Sequence, residues 1–279
     1  MAGPVKFSLT IQTPEVPRAV PVALLSGTLA EKFAAAARLG ADGVELITTE
    51  PAGIDREQVR GLFAAHALGI SAVASGGMAF AAGLTQLNAD PQVAGLARQR
   101  LRELVELADD LGAPVVTVGS FRGFAREAPR QTREDFAAVL REAGDFARER
   151  GVKLAVEPLN RYEGNLINTV AEGIAFLNEL DHPAVGLLLD TYHMNIEEVS
   201  RTEPFRQAAA AGVLFHVHIG DNNRLPPGRG MIDFREILRT LRAAGYTGWV
   251  TAELLALPDG DTAARQTMDV MLPLLKELG

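Results

Sequence analysis

Four short apolar runs follow one another in the second half of the chain: KLAVEPL (153–159), VGLLLD (185–190), VLFHVHIG (213–220) and WVTAEL (249–254). Each run is rich in β-branched or aliphatic residues, which is typical of a strand buried on both faces. Each also carries a carboxylate or an imidazole at or near its C-terminal end. The intervals fit one strand plus one helix, and this spacing indicates parallel strands joined by helical crossovers.

The first half of the chain repeats the pattern. Similar runs occupy residues 5–10, 43–48, 70–75 and 114–120, which gives eight strand candidates. Between the strands lie segments with helical periodicity, such as 28–40, 56–69 and 233–245. Thr28 and Asp233 are predicted N-caps of these helices, and a glycine follows each predicted helix as a C-terminal cap. Eight alternations of strand and helix predict a single (β/α)8 TIM barrel domain over residues 1–279.

The main competing fold is a doubly wound open sheet. Such a fold usually carries a glycine-rich phosphate loop after its first strand. The corresponding segment, FSLTIQTPEVPRAVP (7–21), contains no glycine. We therefore predict the closed barrel.

Composition excludes several classes of chemistry and partner. The 279 residues carry a formal net charge of −8, which disfavours contact with nucleic acid because phosphate binding relies on basic patches. The chain has no cysteine, so disulfides, thiolate nucleophiles and iron–sulfur clusters are excluded. Any metal must be held by oxygen and imidazole ligands. The N-terminal stretch does not resemble a secretory signal, and no apolar run is long enough to span a membrane, so we expect a cytoplasmic protein without a membrane partner.

The strand ends predict a metal site. Active sites of such barrels lie at the C-terminal ends of the strands. Glu157, Asp190, His218 and Glu253 are separated by 33, 28 and 35 residues, so all four should point at the same mouth. Three carboxylates beside one imidazole would repel one another unless a cation joined them. This ligand set favours one divalent ion, Mn²⁺ before Mg²⁺, with Co²⁺ or Zn²⁺ as alternatives.

Other polar residues near the strand ends are candidates for substrate contact. His193 and Arg224 lie in loops that rim the predicted site, where each could hold or polarise a substrate oxygen. Glu163 could orient a hydroxyl. His216 lies two residues before His218 on the same face of its strand, so we predict a hydrogen-bonded role one layer deeper.

The segment SFRGFARE (120–127) offers a candidate anion contact. Arg122 or Arg126 could bind a substrate carboxylate through two parallel hydrogen bonds. Met78 and Phe80, after the third strand, could form a lid over the site or part of a subunit interface. The sequence leaves this choice and a homo-oligomeric state open.

Three motifs resemble a known family. VEPLNRYEGNLINT (156–169), LDTYHMNIEE (189–198) and HVHIGDNNRLPPGRGMIDF (216–234), together with the strand of Glu253, resemble the sugar isomerase/epimerase family with the xylose-isomerase-like barrel. That family includes the D-tagatose 3-epimerase and hydroxypyruvate isomerase groups. The resemblance extends over essentially the whole chain.

The N-terminal third resembles one branch of this family, the 5-keto-L-gluconate epimerases. The segments that carry this likeness are KFSLTIQTPE (6–15), GMAFAAGLTQLNADPQ (77–92) and VGSFRGFAREAP (118–129).

The resemblance implies roles for particular residues. It identifies Glu157, Asp190, His218 and Glu253 with the family's metal ligands, and Glu157 and Glu253 also with its acid/base pair. It identifies the family's substrate contacts with Glu163, His193 and Arg224.

A physical mechanism fits these residues. A sugar with a carbonyl beside a hydroxyl can chelate the cation, which acidifies the intervening C–H and stabilises the enediolate that forms. Two carboxylates on opposite sides of that intermediate permit epimerisation next to the keto group of a free ketose or keto-sugar acid. One carboxylate that moves the proton between neighbouring carbons gives aldose–ketose isomerisation of the hydroxypyruvate isomerase type instead.

Two other functions compete with this hypothesis. A sugar-binding barrel without turnover has no need of two bases, so the paired carboxylates disfavour it. Abasic-site endonucleases share the barrel, but their trinuclear zinc cluster needs more histidines than the three that lie near strand ends here.

Overall fold

Eight parallel strands close into a barrel in the order of the chain, which confirms the predicted (β/α)8 fold. The computed structural model describes residues 5–125 and 129–278. All eight predicted strands are present, with ends that differ from the predicted ones by a few residues. They are β1 (Lys6–Gln12), β2 (Gly43–Ile47), β3 (Gly69–Ala74), β4 (Val115–Val118), β5 (Lys153–Val156), β6 (Val185–Asp190), β7 (Leu214–Ile219) and β8 (Trp249–Ala252).

Helices surround the barrel and connect its strands. In the parts of the chain that the structure describes, ten α-helices are present: α1 (Leu29–Leu39), α2 (Arg56–His66), α3 (Gly76–Phe80), α4 (Pro91–Leu111), α5 (Pro129–Glu149), α6 (Val170–Leu180), α7 (Thr191–Glu197), α8 (Glu203–Ala210), α9 (Phe234–Ala243) and α10 (Gly260–Leu278). The short helices α3 and α7 begin close to the C-terminal ends of β3 and β6, so they help to form the mouth of the barrel. Among the described residues, no helix is both long enough and apolar enough to cross a bilayer.

The predicted helix caps are largely observed. Thr28 caps α1 through its side chain, Asp233 caps α9 in the same way, and Gly40 ends α1 in the left-handed region. The cap predicted after α2 is wrong: the helix ends at His66, and Ala67 takes the left-handed conformation. Gly69 begins β3 instead, where a Cβ would lie 2.9 Å from the Trp249 ring. Its lack of a side chain therefore serves packing at the N-terminal end of the barrel.

The strand register brings the candidate residues to one end of the barrel. Asp190 pairs with His218 across β6 and β7, and His218 pairs with Thr251 across β7 and β8. Glu157 and Glu253 are the first residues after β5 and β8. Their backbone N–H groups donate to neighbouring strands at 3.1 Å, which extends the ladder and fixes where each carboxylate begins.

Candidate active site

Four side chains predicted as metal ligands meet at the C-terminal mouth of the barrel. Glu157, Asp190, His218 and Glu253 each offer a ligand atom, and these atoms all lie within 4.8 Å of one another. We call these residues the four-residue cluster. Glu157, Asp190 and His218 are buried, while Glu253 is partly exposed. The structure therefore brings together residues that are up to 96 positions apart in the chain.

The donor set of the four-residue cluster fits a divalent cation. Glu157 Oε1, Asp190 Oδ2 and His218 Nδ1 are buried and have no hydrogen-bond partner among the described residues. Buried polar atoms are normally paired, because an unpaired one loses its hydration without compensation. Three oxygen-bearing ligands and one imidazole nitrogen suit Mn²⁺ or Mg²⁺. These residues could thus hold a single ion with positions left for a substrate.

The carboxylates of the four-residue cluster repel one another, and a bound cation would offset this repulsion. Burial raises the pKa of Glu157 well above its ordinary value, and the neighbouring Glu253 and Asp190 raise it further. Burial likewise raises the pKa of Asp190 to about 6, with Glu253 contributing. Carboxylates crowded away from water disfavour one another's ionisation. A bound divalent ion would reverse that preference and favour the ionised forms.

Arg224 connects two acidic residues at the rim. Its Nη2 donates to Glu253 Oε2 at 2.7 Å, and its Nη1 donates to Glu163 Oε2 at 2.9 Å. Its guanidinium also lies over the Tyr192 ring, 4.8 Å from the centroid. The Arg224 backbone is in the left-handed region at φ 59°, which a non-glycine residue adopts at some cost. This arginine and Glu163 both line the cleft, as the sequence predicts for residues near a substrate.

His193 is held as a neutral hydrogen-bond donor. The backbone N–H of Asn160 donates to His193 Nδ1 at 3.2 Å, and the Asn160 side-chain Nδ2 lies 2.8 Å from the same atom. Two donors at Nδ1 place the imidazole hydrogen on Nε2. That atom lies 3.6 Å from Glu157 Oε1. Burial lowers the pKa of His193 well below its ordinary value, and nearby Arg224 adds to the effect. His193 therefore presents an N–H to the cleft.

Asn160 was not predicted from the sequence. It follows the strand-end Glu157 by three residues, and it is fully buried, so its amide can hold His193 and also donate to Glu163 Oε1 at 2.9 Å. An asparagine in a loop does not by itself indicate a role in an active site, because an uncharged amide there is ordinarily part of a turn.

Glu45 was missed as well. It lies inside β2 and is fully buried, and its carboxylate lies 2.8 Å from His216 Nε2 and 3.0 Å from His218 Nε2. His216 lies one layer deeper in the barrel than His218, as predicted from its position two residues earlier on the same strand face. The sequence did contain one indication of this role, a carboxylate within an otherwise apolar strand, because a buried charge requires partners.

The structure does not bring Arg122 to the cleft. Its side chain is fully buried and donates to the backbone carbonyls of Glu157 and Ile167, the second at 3.0 Å. Burial lowers the pKa of Arg122 to about 10, which leaves the group cationic at neutral pH. Its donors hold the backbone around Glu157, so they do not reach a substrate carboxylate in the cleft. Arg126 lies outside the described residues.

Most of the remaining cleft wall comes from the first half of the barrel, from Gly76, Phe80, Thr117, Gly119 and Ser120. Leu159, after β5, completes it. A larger cavity of about 490 Å³ lies at the opposite end of the barrel, around Trp249 and Phe215. The lining described for that cavity contains no carboxylate or imidazole, so we place the chemistry at the mouth. Trp249 packs at this far end of the barrel.

Gly119, directly after β4, makes room for one carboxylate. A Cβ on this residue would overlap Glu157 Oε2. We expect Gly119→Ala to displace that carboxylate and to lower kcat/KM by at least about 10-fold, because small misplacements of reacting groups are costly. The matched control is Gly95→Ala, where a Cβ meets nothing within 4 Å. Equal kcat/KM values of the two variants would show that catalysis does not depend on the position of the Glu157 carboxylate.

Comparison with known proteins identifies the family. Residues 33–274 match the family described as the xylose isomerase-like TIM barrel. The chain belongs to this family. It is 34% identical over 227 residues to an L-ribulose 3-epimerase from Methylomonas sp. (strain DH-1), which covers 79% of this chain and 76% of that protein. It is 33% identical over 217 residues to a ketose 3-epimerase from Arthrobacter globiformis, which covers 77% and 73% of the two chains.

A solved structure supports the same relationship. The structure of an L-ribulose 3-epimerase superposes with a TM-score of 0.80 at 28% identity and covers 97% of this chain and 95% of that one. These relatives are carbohydrate epimerases, so the predicted family and the broad enzyme class are confirmed. The narrower likeness to 5-keto-L-gluconate epimerases stays a prediction.

Proposed function

We propose that this member of the xylose isomerase-like TIM barrel family is a divalent-metal-dependent epimerase that inverts the carbon next to the keto group of a free ketose or keto-sugar acid. The observation that carries the proposal is the pair Glu157 and Glu253. They follow β5 and β8, so two carboxylates enter one cleft from different walls of the barrel. The ketose 3-epimerases among the relatives support inversion at C3 of a ketose.

The proposed reaction moves one proton off the substrate and another onto it. One carboxylate of the Glu157 and Glu253 pair takes the hydrogen from the carbon beside the keto group. The electrons of the broken C–H bond then form the double bond of a planar enediolate. The other carboxylate returns a proton to the opposite face, which restores the ketone with inverted configuration.

The other residues of the cleft bind and orient the sugar. His193 Nε2–H is placed to donate to a substrate oxygen, and Glu163 is placed to accept from a substrate hydroxyl. Arg224 balances the charges of Glu163 and Glu253, which keeps the second carboxylate in a defined position. A divalent ion held by the four-residue cluster, Mn²⁺ in our proposal, would supply Lewis acidity and stabilise developing negative charge.

Turnover in deuterated water tests the proposed function. Metal-stripped protein is supplied with Mn²⁺ and a panel of ketoses, keto-sugar acids and hydroxypyruvate, and the products are followed by proton NMR. Metal-dependent exchange with inversion beside the keto group is expected. Exchange with migration of the carbonyl would assign aldose–ketose isomerisation, and sugar binding without exchange would assign a binding protein.

Metal affinity should depend steeply on pH. The raised pKa of Glu157, the pKa of about 6 for Asp190 and that of about 10 for His218 mean that protons compete with the ion. Lowering the pH protonates these groups further, so affinity falls as pH falls. From pH 8 to pH 6 we expect the Mn²⁺ dissociation constant to rise at least about 10-fold per pH unit, because each displaced proton contributes one factor of ten per unit.

Calorimetry in buffers of different ionisation enthalpy measures this competition. It should show at least about one proton released per ion at pH 7, because His218, with a pKa of about 10, loses a ring proton when it coordinates, and the raised pKa of Glu157 adds to the release. A dissociation constant that does not change between pH 8 and pH 6 would contradict the assigned ligands.

A further inference from the structure

A polar layer fills the barrel directly beneath the four-residue cluster. Five fully buried polar residues form this layer, one on each of five strands: Ser8 (β1), Glu45 (β2), Ser71 (β3), His216 (β7) and Thr251 (β8). Barrel interiors are ordinarily filled by branched apolar side chains. The proposed reaction uses none of these five residues, so their polarity in this place needs a separate explanation.

The carboxylate of Glu45 joins the two histidines of β7. His218 Nε2 lies 3.0 Å and 3.1 Å from the two Glu45 oxygens, and His216 Nε2 lies 2.8 Å from one of them. An ionised carboxylate only accepts hydrogen bonds, so both histidines present a hydrogen on Nε2. Burial alone would raise the pKa of Glu45, but the charge of His218 and the hydrogen bonds from both histidines hold it below its ordinary value.

The other nitrogen of His218 faces the cluster. His218 Nδ1 lies 3.7 Å from Glu253 Oε1 and has no hydrogen-bond partner among the described residues. With Nε2 bound to Glu45, the lone pair of a neutral His218 ring is confined to Nδ1. The Glu45 contact thus selects both the tautomer and the ring orientation in which His218 can act as a ligand.

His216 and the hydroxyl layer hold Glu45 in turn. The hydroxyl of Thr251 lies 3.0 Å from His216 Nε2 and 2.7 Å from the hydroxyl of Ser8. Ser8 donates to Ser71 at 2.8 Å. The contact with Thr251 holds the His216 ring and, through it, one oxygen of Glu45. The layer is a connected chain of hydrogen bonds that ends at the metal-facing histidine.

We propose that Glu45 is a positioning residue of the cation site, which holds His218 with Nδ1 directed at Glu157, Asp190 and Glu253, and that His216 keeps Glu45 in place. The inference rests on the proposed function only in taking the four-residue cluster as a cation site. It requires no particular sugar.

The test compares Mn²⁺ binding by Glu45→Gln and the wild type. Glutamine has one acceptor oxygen and one N–H₂ group, so it cannot accept hydrogen bonds at both oxygens and one contact is lost. We expect the Mn²⁺ dissociation constant, measured by calorimetry, to rise by about 10- to 100-fold. Ser71→Ala is the matched control from the same layer, since Ser71 has no hydrogen bond to Glu45 or His218 in the described structure. We expect a change of less than about 3-fold for this variant.

Two further readouts separate positioning from a general packing role. Nitrogen-15 NMR of the histidines in the Mg²⁺-loaded wild type should show His218 protonated at Nε2, and this measurement remains decisive if Glu45→Gln does not fold. His216→Asn, which leaves Glu45 intact, should weaken Mn²⁺ binding by less than Glu45→Gln does. The wild type should bind one ion per chain.

Several results would overturn the inference. These are unchanged affinity in Glu45→Gln, a His218 protonated at Nδ1, or two ions per chain. The last result would make Glu45, His216 and His218 a second metal site. A wild type that binds no ion would instead refute the proposed metal dependence, so the two failures are distinguishable.

Discussion

Glu253→Gln is expected to lower the rate at which epimerisation incorporates solvent deuterium at the inverted carbon of the product by about 10³-fold or more. Positioned acid–base groups contribute roughly 10²–10⁴-fold to catalysis, and the amide can neither accept nor deliver the proton. The same substitution removes the charge that Arg224 Nη2 contacts at 2.7 Å, so the arginine loses one of its two anchors. Glu157→Gln should have an effect of the same order.

Proton NMR in deuterated water measures this loss with enzyme saturated in Mn²⁺. Saturation matters because both glutamates are also proposed ligands, and a drop in affinity alone should disappear at high metal concentration. Glu50→Gln is the matched control, an exposed carboxylate in the segment after β2 at the same end of the barrel. Wild-type exchange in both Glu157→Gln and Glu253→Gln would exclude them as the bases.

Removal of divalent ions by a chelator should abolish turnover, with a loss of about 10³-fold that stoichiometric Mn²⁺ restores. A metal ion supplies several kcal/mol of transition-state stabilisation, and each 1.36 kcal/mol corresponds to a factor of ten in rate. Without the ion, burial and the neighbouring Glu253 raise the pKa of Glu157, which disfavours the ionised carboxylate that the proposed proton transfer requires.

Thermal unfolding gives an independent view of the same site. Added Mn²⁺ should raise the Tm of the stripped protein, because a ligand that binds only the folded state stabilises it. Asp190→Asn should lose this shift. A stripped protein that retains full turnover and an unchanged Tm would contradict the proposed metal dependence.

The four candidate metal ligands could be predicted because charged or imidazole side chains stand out at the ends of apolar strands. Parallel strands with helical crossovers impose one direction on every strand, so a carboxylate or imidazole at each C-terminal end must reach the same mouth. Glu157, Asp190, His218 and Glu253 meet there for that reason. Their common location follows from the period of the sequence and needs no detailed knowledge of side-chain packing.

The residues that support these side chains could not be found in the same way. Asn160 acts through two hydrogen bonds to His193 Nδ1, and nothing in an isolated amide indicates its partner. Glu45 lies among apolar residues in β2, and its role depends on register across the barrel to β7. Arg122 shows the converse case. A cation close to a strand end indicated a substrate contact, whereas two backbone carbonyls hold its guanidinium.

We propose that two bases, Glu157 and Glu253, act on one substrate carbon from opposite faces. The decisive measurement follows the early turnover of L-ribulose, or of the ketose in the panel that reacts fastest, in deuterated water. With two bases, the product carries solvent deuterium at the inverted carbon while the recovered substrate retains its hydrogen, because the base that removes the proton is not the one that replaces it. A product that retains the substrate's own hydrogen at that carbon would exclude the two-base reaction.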